Sequence, residues 1–127
     1  MIVVDTSVWI AAQRKPAGRD AATLFSLLDW NDVLLPLPVR IELLSGVARK
    51  DRKAFTRALS ALPVIIPTEE TWRLAESWVA PAADAGHRFA VTDLVIGALA
   101  TEARALVWSL DADFERMGQI GLVRLYG

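Results

Sequence analysis

Short apolar runs alternate along this 127-residue chain with longer segments of helical composition, and this alternation restricts the fold more than any other feature. A run of a few β-branched and aliphatic residues is typical of a strand that is buried on both faces. The strand candidates are residues 2–4, 33–35, 64–66, 106–108 and 122–125. Strands that alternate with helices predict a parallel sheet with helices on both faces.

Helical patterns occupy the segments between these strands. One segment repeats its apolar residues at the spacing of a single helix face, at Leu37, Ile41, Leu44 and Ala48. A threonine and two glutamates at 68–70 predict the start of another helix, which continues through Trp72, Ala75 and Val79. Further helices are predicted near Ser7 and over residues 20–30, 54–62 and 92–104. We therefore expect residues 1–127 to form a single α/β domain, a three-layer α/β/α sandwich around a central parallel sheet.

Composition excludes several classes of protein. Apolar residues make up 54% of the chain, which is enough for a folded core rather than a disordered segment. The chain has no Cys and one His, which excludes disulfides, thiolate zinc sites, cysteine nucleophiles and histidine pairs. We expect no signal peptide, because no basic segment precedes the first apolar run and that run stops at Asp5, and the apolar segment at 33–41 is too short to span a bilayer. We expect a cytoplasmic protein that does not enter membranes.

The charge balance bears on nucleic-acid binding. Lys and Arg together number 14 against 15 Asp and Glu, a formal net charge of −1. Proteins that bind nucleic acid through overall charge are usually basic. A chain of this composition therefore needs a local basic patch or a bound cation to attract RNA or DNA.

Acidic residues from distant segments are expected at one edge of the sheet. Asp5 and Asp111 each follow a strand, with Asp113 two residues later, whereas Asp93 and Glu42 lie in the first turns of helices. In a parallel sheet, the carboxyl ends of the strands and the amino ends of the following helices share one edge. Ligands bind at this edge in folds of this kind.

Each of these acids also has a purely structural interpretation. Asp5 or its neighbour Thr6 could cap the first helix. Asp93 and Asp113 could be ordinary helix-start acids, because acidic residues concentrate in first turns. Glu42 could be a solvated residue that pairs with Arg40 or Arg49.

Their shared location favours a site for a divalent cation. Like charges in a partly desolvated cleft repel by several kcal/mol as an order of magnitude, unless some are protonated or a cation neutralises them. An all-oxygen donor set suits Mg²⁺ or Mn²⁺ rather than zinc or copper. A divalent ion in such a site supports hydrolysis of phosphate esters without a His, Cys or Lys.

Four motifs identify a family that the chain resembles. The stretches "VVDTSVWI", "RIELLSG", "TDLVIGALA" and "SLDADFERM" occur in the order and at about the spacing of PIN-domain ribonucleases. The chain is most similar to the VapC-type toxins of bacterial type II toxin–antitoxin systems, and the resemblance covers nearly all of it. It implies a metal-dependent endoribonuclease that leaves a 5′-phosphate, forms a homodimer and is silenced by a VapB-type antitoxin.

The resemblance also implies roles for individual residues. The acidic quartet that holds Mg²⁺, or Mn²⁺ in its place, would be Asp5, Glu42, Asp93 and Asp111. Thr6 or Ser7 would support Asp5 with a hydroxyl, and Ser109 stands where relatives usually have Thr. Asp113 is a fifth acid that some relatives use. Which of the acids at 111 and 113 faces the metal stays open.

Basic residues outside the motifs offer candidate RNA contacts. The densest basic run supplies Arg49, Lys50, Arg52 and Lys53, which could follow an RNA backbone or form a solvated turn. Arg88, next to the loop residue His87, is a further candidate. A looser basic set near the first helix consists of Arg14, Lys15 and Arg19.

Three other functions are alternatives to a nuclease for a chain with these residues. A receiver-type signalling domain requires a second acid beside Asp5, where Thr6 stands, and a late Lys, whereas the last Lys is Lys53. A haloacid-dehalogenase-type phosphatase requires an Asp at the position of Ser7. A catalytically silent PIN-like binding module stays an alternative, although no acid of the quartet is missing.

Overall fold

The computed structural model describes residues 1–127 and contains four strands, eight α-helices and a short 3₁₀ turn at Arg49–Asp51. The strands are β1 (Ile2–Val4), β2 (Val33–Pro36), β3 (Val64–Ile65) and β4 (Leu106–Trp108). The first four helices are α1 (Thr6–Arg14), α2 (Arg19–Asp29), α3 (Leu37–Gly46) and α4 (Arg52–Ser60). The others are α5 (Glu69–Ser77), α6 (Val79–Asp84), α7 (Val91–Glu102) and α8 (Ala112–Gln119).

All four strands are parallel and lie in the order β3-β2-β1-β4. The predicted α/β class with a central parallel sheet is therefore confirmed. The chain adds strands in one direction from β1 to β3 and then crosses to the other side of β1 to form β4. The carboxyl ends of β1 and β4 consequently flank the point where the strand order reverses, which is the usual ligand site of such sheets.

The central strand explains why the chain begins with an uninterrupted apolar run. β1 has a neighbour on each side, and all three of its residues are buried. Helix α1 packs on α2 and α3, whereas α7 packs on α3, α5, α8 and β4. Helix α7 is itself buried from Leu94 through Ala100, which explains its apolar composition on every face.

The predicted strand at 122–125 is wrong in its extent. Only Leu125 pairs with the sheet, through a single parallel bridge to Val107. The amide of Leu122 instead donates to the carbonyl of Met117, and Gly121 adopts a positive φ of 79°. A turn with glycine in this conformation commonly ends a helix, and here it ends α8. The Leu122 amide is bonded within the turn and is therefore not available to pair with a neighbouring strand.

The helix predicted to continue through Val79 ends earlier. Helix α5 stops at Ser77, Trp78 forms a turn, and α6 begins at Val79. Pro81 has no amide hydrogen to donate to the carbonyl of Ser77, which interrupts the helical hydrogen bonds at this point. The Ser77 hydroxyl donates to the Leu74 carbonyl in the last turn of α5. The predicted start at Thr68 is confirmed, because its amide donates to the hydroxyl of Thr71 at 3.0 Å.

None of the helices combines the length and the apolar character needed to cross a lipid bilayer.

Candidate metal centre

Asp5 lies at the carboxyl end of β1, where it is 5% exposed. Its amide continues the sheet by donating to the Trp108 carbonyl at 2.9 Å. Its carboxylate caps α1, accepting from the Ser7 amide at 3.4 Å. The capping interpretation of Asp5 is thus observed, but the cap bond is long. It leaves the carboxylate available for a second role.

Two hydroxyls hold the Asp5 carboxylate in place. Ser7 Oγ and Ser109 Oγ each donate to Asp5 Oδ2 at 2.8 Å, and the two hydroxyl oxygens are 3.3 Å apart. The amides of Leu110 and Asp111 donate in turn to these hydroxyls. All the hydrogen bonds to Asp5 reach Oδ2, so Oδ1 keeps its lone pairs for a ligand.

Glu42 is held by a different residue from the one that holds Asp5. The hydroxyl of Thr6, the first residue of α1, donates to Glu42 Oε1 at 3.0 Å. Glu42 forms no ion pair with Arg40 or Arg49. Neighbouring hydroxyls on α1 therefore orient two acids, with Ser7 on Asp5 and Thr6 on Glu42.

Asp93 is the electrostatic centre of the cluster. It is the third residue of α7, whose amino end points toward the carboxyl edge of the sheet. The pKa of Asp93 is raised to about 6, first by burial and then by the negative charges of Asp5, Asp111, Asp113 and Glu42, in that order. The effect of all four charges on one carboxyl indicates that the five acids, which come from four separate segments, lie near one another.

Asp93, Asp111 and Asp113 are the most closely spaced acids. One carboxylate oxygen from each lies within 4.8 Å of the other two. Asp111 also caps α8 by accepting from the Asp113 amide at 2.9 Å. Asp113 Oδ1 accepts a hydrogen bond from Arg116 at 2.8 Å, which leaves its second oxygen free. Asp5 and Glu42 lie outside this group of three.

The donor set and the spacing fit a hard divalent cation. Two oxygens on opposite sides of Mg²⁺ are about 4.2 Å apart, because each Mg–O distance is about 2.1 Å. Adjacent oxygens around the ion are about 3.0 Å apart, and at least two of the three pairs must be adjacent, so the three carboxylates need to approach by up to about 2 Å to bind one ion. Their mutual repulsion, visible in the raised pKa of Asp93, is what a cation would relieve.

The basic candidates do not belong to this cluster. Arg49, Arg52, Lys53 and Arg57 line a shallow surface depression that contains no apolar residue. None of them forms an ion pair. Lys50, in the adjoining 3₁₀ turn, and Arg88, in the loop before α7, are both exposed.

Two features of the site were not assigned from the sequence. The resemblance attached Thr6 or Ser7 to the first acid, whereas the structure brings Thr6 to Glu42, 36 positions away. Asp113 stands outside the quartet that the resemblance implies, yet it is one of the three closest carboxylates. Its position two residues after Asp111, in the first turn of α8, was the available signal.

Comparison with known proteins identifies the class to which this site and fold belong. The family model for the PIN domain matches residues 2–120, which is most of the chain. The chain therefore belongs to the PIN domain family, and the resemblance drawn from its motifs is confirmed. A search of curated proteins gave no significant match.

Several solved structures have the same fold. VapBC2 from Rickettsia felis, bound to a promoter DNA fragment, has a TM-score of 0.79 at 20% identity, covering 99% of this chain and 98% of that one. A toxin–antitoxin complex from Klebsiella pneumoniae has a TM-score of 0.73 at 19% identity, covering 97% and 95%. VapC20 from Mycobacterium tuberculosis, a toxin that cleaves the sarcin–ricin loop, has a TM-score of 0.66 at 21% identity, covering 93% and 95%.

Proposed function

We propose that this protein is a Mg²⁺-dependent endoribonuclease that acts as the VapC-type toxin of a toxin–antitoxin pair. The observation that carries the proposal is the convergence of four acids on Asp93, which together with Asp111 and Asp113 has carboxylate oxygens within 4.8 Å of one another. Membership of the PIN domain family supports nuclease chemistry for this site. The VapC20 structure, described as that of a toxin that cleaves the sarcin–ricin loop, supports RNA as the substrate.

The acids divide into ligands and supports in this proposal. Asp93, Asp111 and Asp113 hold the ion most closely, and Asp5 and Glu42 complete an acidic shell around it. When bound, Mg²⁺ or Mn²⁺ supplies the positive charge that attracts an RNA phosphate and activates water for its hydrolysis. Ser7 and Ser109 fix Asp5, and Thr6 fixes Glu42, so that the shell is organised before the substrate arrives.

Partners follow from the same proposal. A chain with this fold is bound to its antitoxin in the Klebsiella pneumoniae complex, and we expect this protein to bind a VapB-type antitoxin. A basic side chain from that antitoxin would be attracted by the same acids that bind the cation. We also expect a homodimer, and we expect the exposed cations Arg49, Lys50, Arg52, Lys53 and Arg88 to assist RNA binding.

Cleavage of RNA by purified protein tests the proposal directly. The parent chain in Mg²⁺ should cut structured RNA and leave 5′-phosphate ends, and EDTA should abolish the cleavage. Asp5→Asn and Asp93→Asn should each reduce the rate by about 100-fold or more, because each removes a negative charge from the acidic shell or from the ligands of the ion. Arg73→Gln, on the outer surface of α5, is the matched control and should cut like the parent. Equal rates for the parent and both Asn variants would refute the assignment.

Calorimetry separates the nuclease from a catalytically silent binding module. A titration with Mn²⁺ should reveal a divalent-ion site in the parent chain that is lost in Asp93→Asn. A module without catalysis that has also lost its metal should show no heat of binding. Sequencing of RNA ends after induced expression would then identify the substrate.

A further inference from the structure

A basic groove leads away from the acidic cluster. It lies between α1 and α2 and is lined by Arg14, Lys15 and Arg19, with Asp20 as its one acid. None of the three cations forms an ion pair or donates a side-chain hydrogen bond within the chain. All three are exposed, so their charges are available to a ligand.

The groove is continuous with the candidate metal centre. Ser7 and Leu110 line its inner end, and the Leu110 amide donates to the hydroxyl that holds Asp5. Ser7, Ile10, Ala11 and Arg14 occupy one face of α1, because they are spaced by three, four and seven residues. A rise of 1.5 Å per residue places Arg14 about 10 Å along the helix from Ser7.

A tight turn brings the cations of the two helices together. The Gly18 amide donates to the Lys15 carbonyl at 2.9 Å, so that α2 begins only a few residues after α1 ends. A Cβ at position 18 would lie 3.1 Å from that carbonyl oxygen, which is closer than most side chains come. The glycine therefore permits Arg14, Lys15 and Arg19 to face the same groove.

We propose that this groove binds the RNA backbone that flanks the phosphate to be cut, an inference that rests on the proposed nuclease function. The acidic cluster repels phosphate except where a cation neutralises it, so flanking phosphates require positive charge nearby. The groove supplies three unpaired cations, of which Arg14 lies about 10 Å along α1 from Ser7. The depression around Arg52 contains neither an acid of the cluster nor a residue that holds one, whereas the groove contains Ser7, so we assign the depression no part in positioning the cleaved bond.

Charge removal in the groove tests this inference. The triple variant Arg14→Gln, Lys15→Gln, Arg19→Gln should bind a fluorescent single-stranded RNA more weakly in Mg²⁺, measured by anisotropy in an Asp5→Asn background that prevents cutting. The slope of log affinity against log salt should become shallower by about 2, at about 0.7 per phosphate contact on single strands. In the cleaving background, KM should rise while kcat stays within about twofold.

A matched control removes the same charge from other surfaces of the molecule. The triple variant Arg73→Gln, Arg104→Gln, Arg124→Gln changes three exposed arginines outside the groove. Arg104 precedes β4 and therefore lies at the amino edge of the sheet, opposite the acidic cluster. This control should bind and cut RNA like the parent. Equal salt slopes for the two triple variants would overturn the inference.

The design separates this inference from the proposed function. If the parent and Asp5→Asn prove equally inactive, the nuclease assignment fails, and the anisotropy comparison still reports on the groove. If cleavage is normal but the groove variant keeps the parent's KM and salt slope, the groove inference fails alone. A groove variant that binds RNA like the parent but loses a co-expressed protein partner would assign the groove to that partner and overturn the inference.

Discussion

At the scale of single residues, the acidic cluster contains carboxylates that repel one another and hydroxyls that hold them in place. Asp93 is partly buried among four other acids, which raises its pKa to about 6. Asp5 is nearly inaccessible but is fixed by two serine hydroxyls. Functional sites typically keep charged groups close together at a cost in electrostatic energy, and ordered neighbours hold these groups in place. The protein is less stable as a result, but the arrangement serves its activity.

Replacing Asp93 should make the metal-free protein more stable. Because the folded-state pKa of Asp93 lies above its ordinary 3.8, protonation of this carboxyl favours the folded state. Its contribution to stability is complete below about pH 4 and is lost as the pH rises through about 6. In EDTA at pH 7, Asp93→Asn should therefore raise the free energy of unfolding by about 1–2 kcal/mol after allowance for solvent screening.

Urea denaturation at several pH values checks this prediction. The gain from Asp93→Asn should be largest at pH 7 and should nearly vanish at pH 4. Asp84→Asn, on the exposed surface of α6, is the control and should change stability little at either pH. A gain that is independent of pH would contradict the electrostatic explanation.

Ser109 should act as a positioning residue for two acids. Its hydroxyl donates to Asp5 Oδ2 and accepts from the Asp111 amide. Ser109→Ala removes both bonds and should lower kcat about 10-fold, which corresponds to about 1.4 kcal/mol, with little change in KM. Ser109→Thr keeps the hydroxyl and should retain most of the activity. An Ala variant as active as the parent would show that this contact is not needed.

At the scale of elements, α7 connects the core to the site. Seven consecutive buried residues anchor it among β4, α3, α5 and α8, and its first turn carries Asp93 to the edge of the sheet. Close packing depends on Gly97, where an added Cβ would lie 3.1 Å from both Trp78 and Val123. The position of Asp93 is therefore coupled to the packing of α7 against its neighbours.

Enlarging Gly97 should disturb this packing. Gly97→Leu forces side-chain or backbone shifts and should lower the free energy of unfolding by about 1–3 kcal/mol, as overpacked cores do. Gly46→Leu, at the end of α3, is the control because nothing lies within 4 Å of its added Cβ. Thermal denaturation of both variants measures the difference. Similar melting temperatures would show that α7 has room that the structure does not indicate.

At the scale of the whole molecule, the strand order creates the site. The reversal between β1 and β4 brings Asp5 beside Ser109, which is 104 positions away along the chain. The helices α3, α7 and α8 then add acids from three further segments. The site thus requires the entire fold, and binding of a cation there should be linked to global stability.

Addition of a divalent cation should therefore stabilise the folded chain. At pH 7, Mg²⁺ or Mn²⁺ at about 100 times its Kd should add about 2.7 kcal/mol to the free energy of unfolding. Differential scanning calorimetry should show a rise of several degrees in Tm, which Asp93→Asn reduces. Na⁺ at matched ionic strength controls for screening among the acids. A Tm that responds equally to both salts would argue against a specific site.

The class of the fold and the identity of the acids could be read from the sequence. Apolar runs separated by amphipathic segments predict a parallel α/β sheet, because strand and helix periods are local properties. The rule that strand ends and helix starts share an edge then gathers Asp5, Glu42, Asp93 and Asp111. The four sequence motifs identified the PIN domain family.

Contacts between distant residues were decided only by the tertiary structure. The bond from Thr6 to Glu42, the contribution of Asp113 and the reduction of residues 122–125 to a single bridge depend on how elements pack. Local sequence determines which backbone conformation a segment prefers. The carboxylates could therefore be recognised from their positions at the ends of predicted strands and the starts of predicted helices. Distances between side chains depend on strand order and helix packing, and these set which hydroxyl reaches which acid.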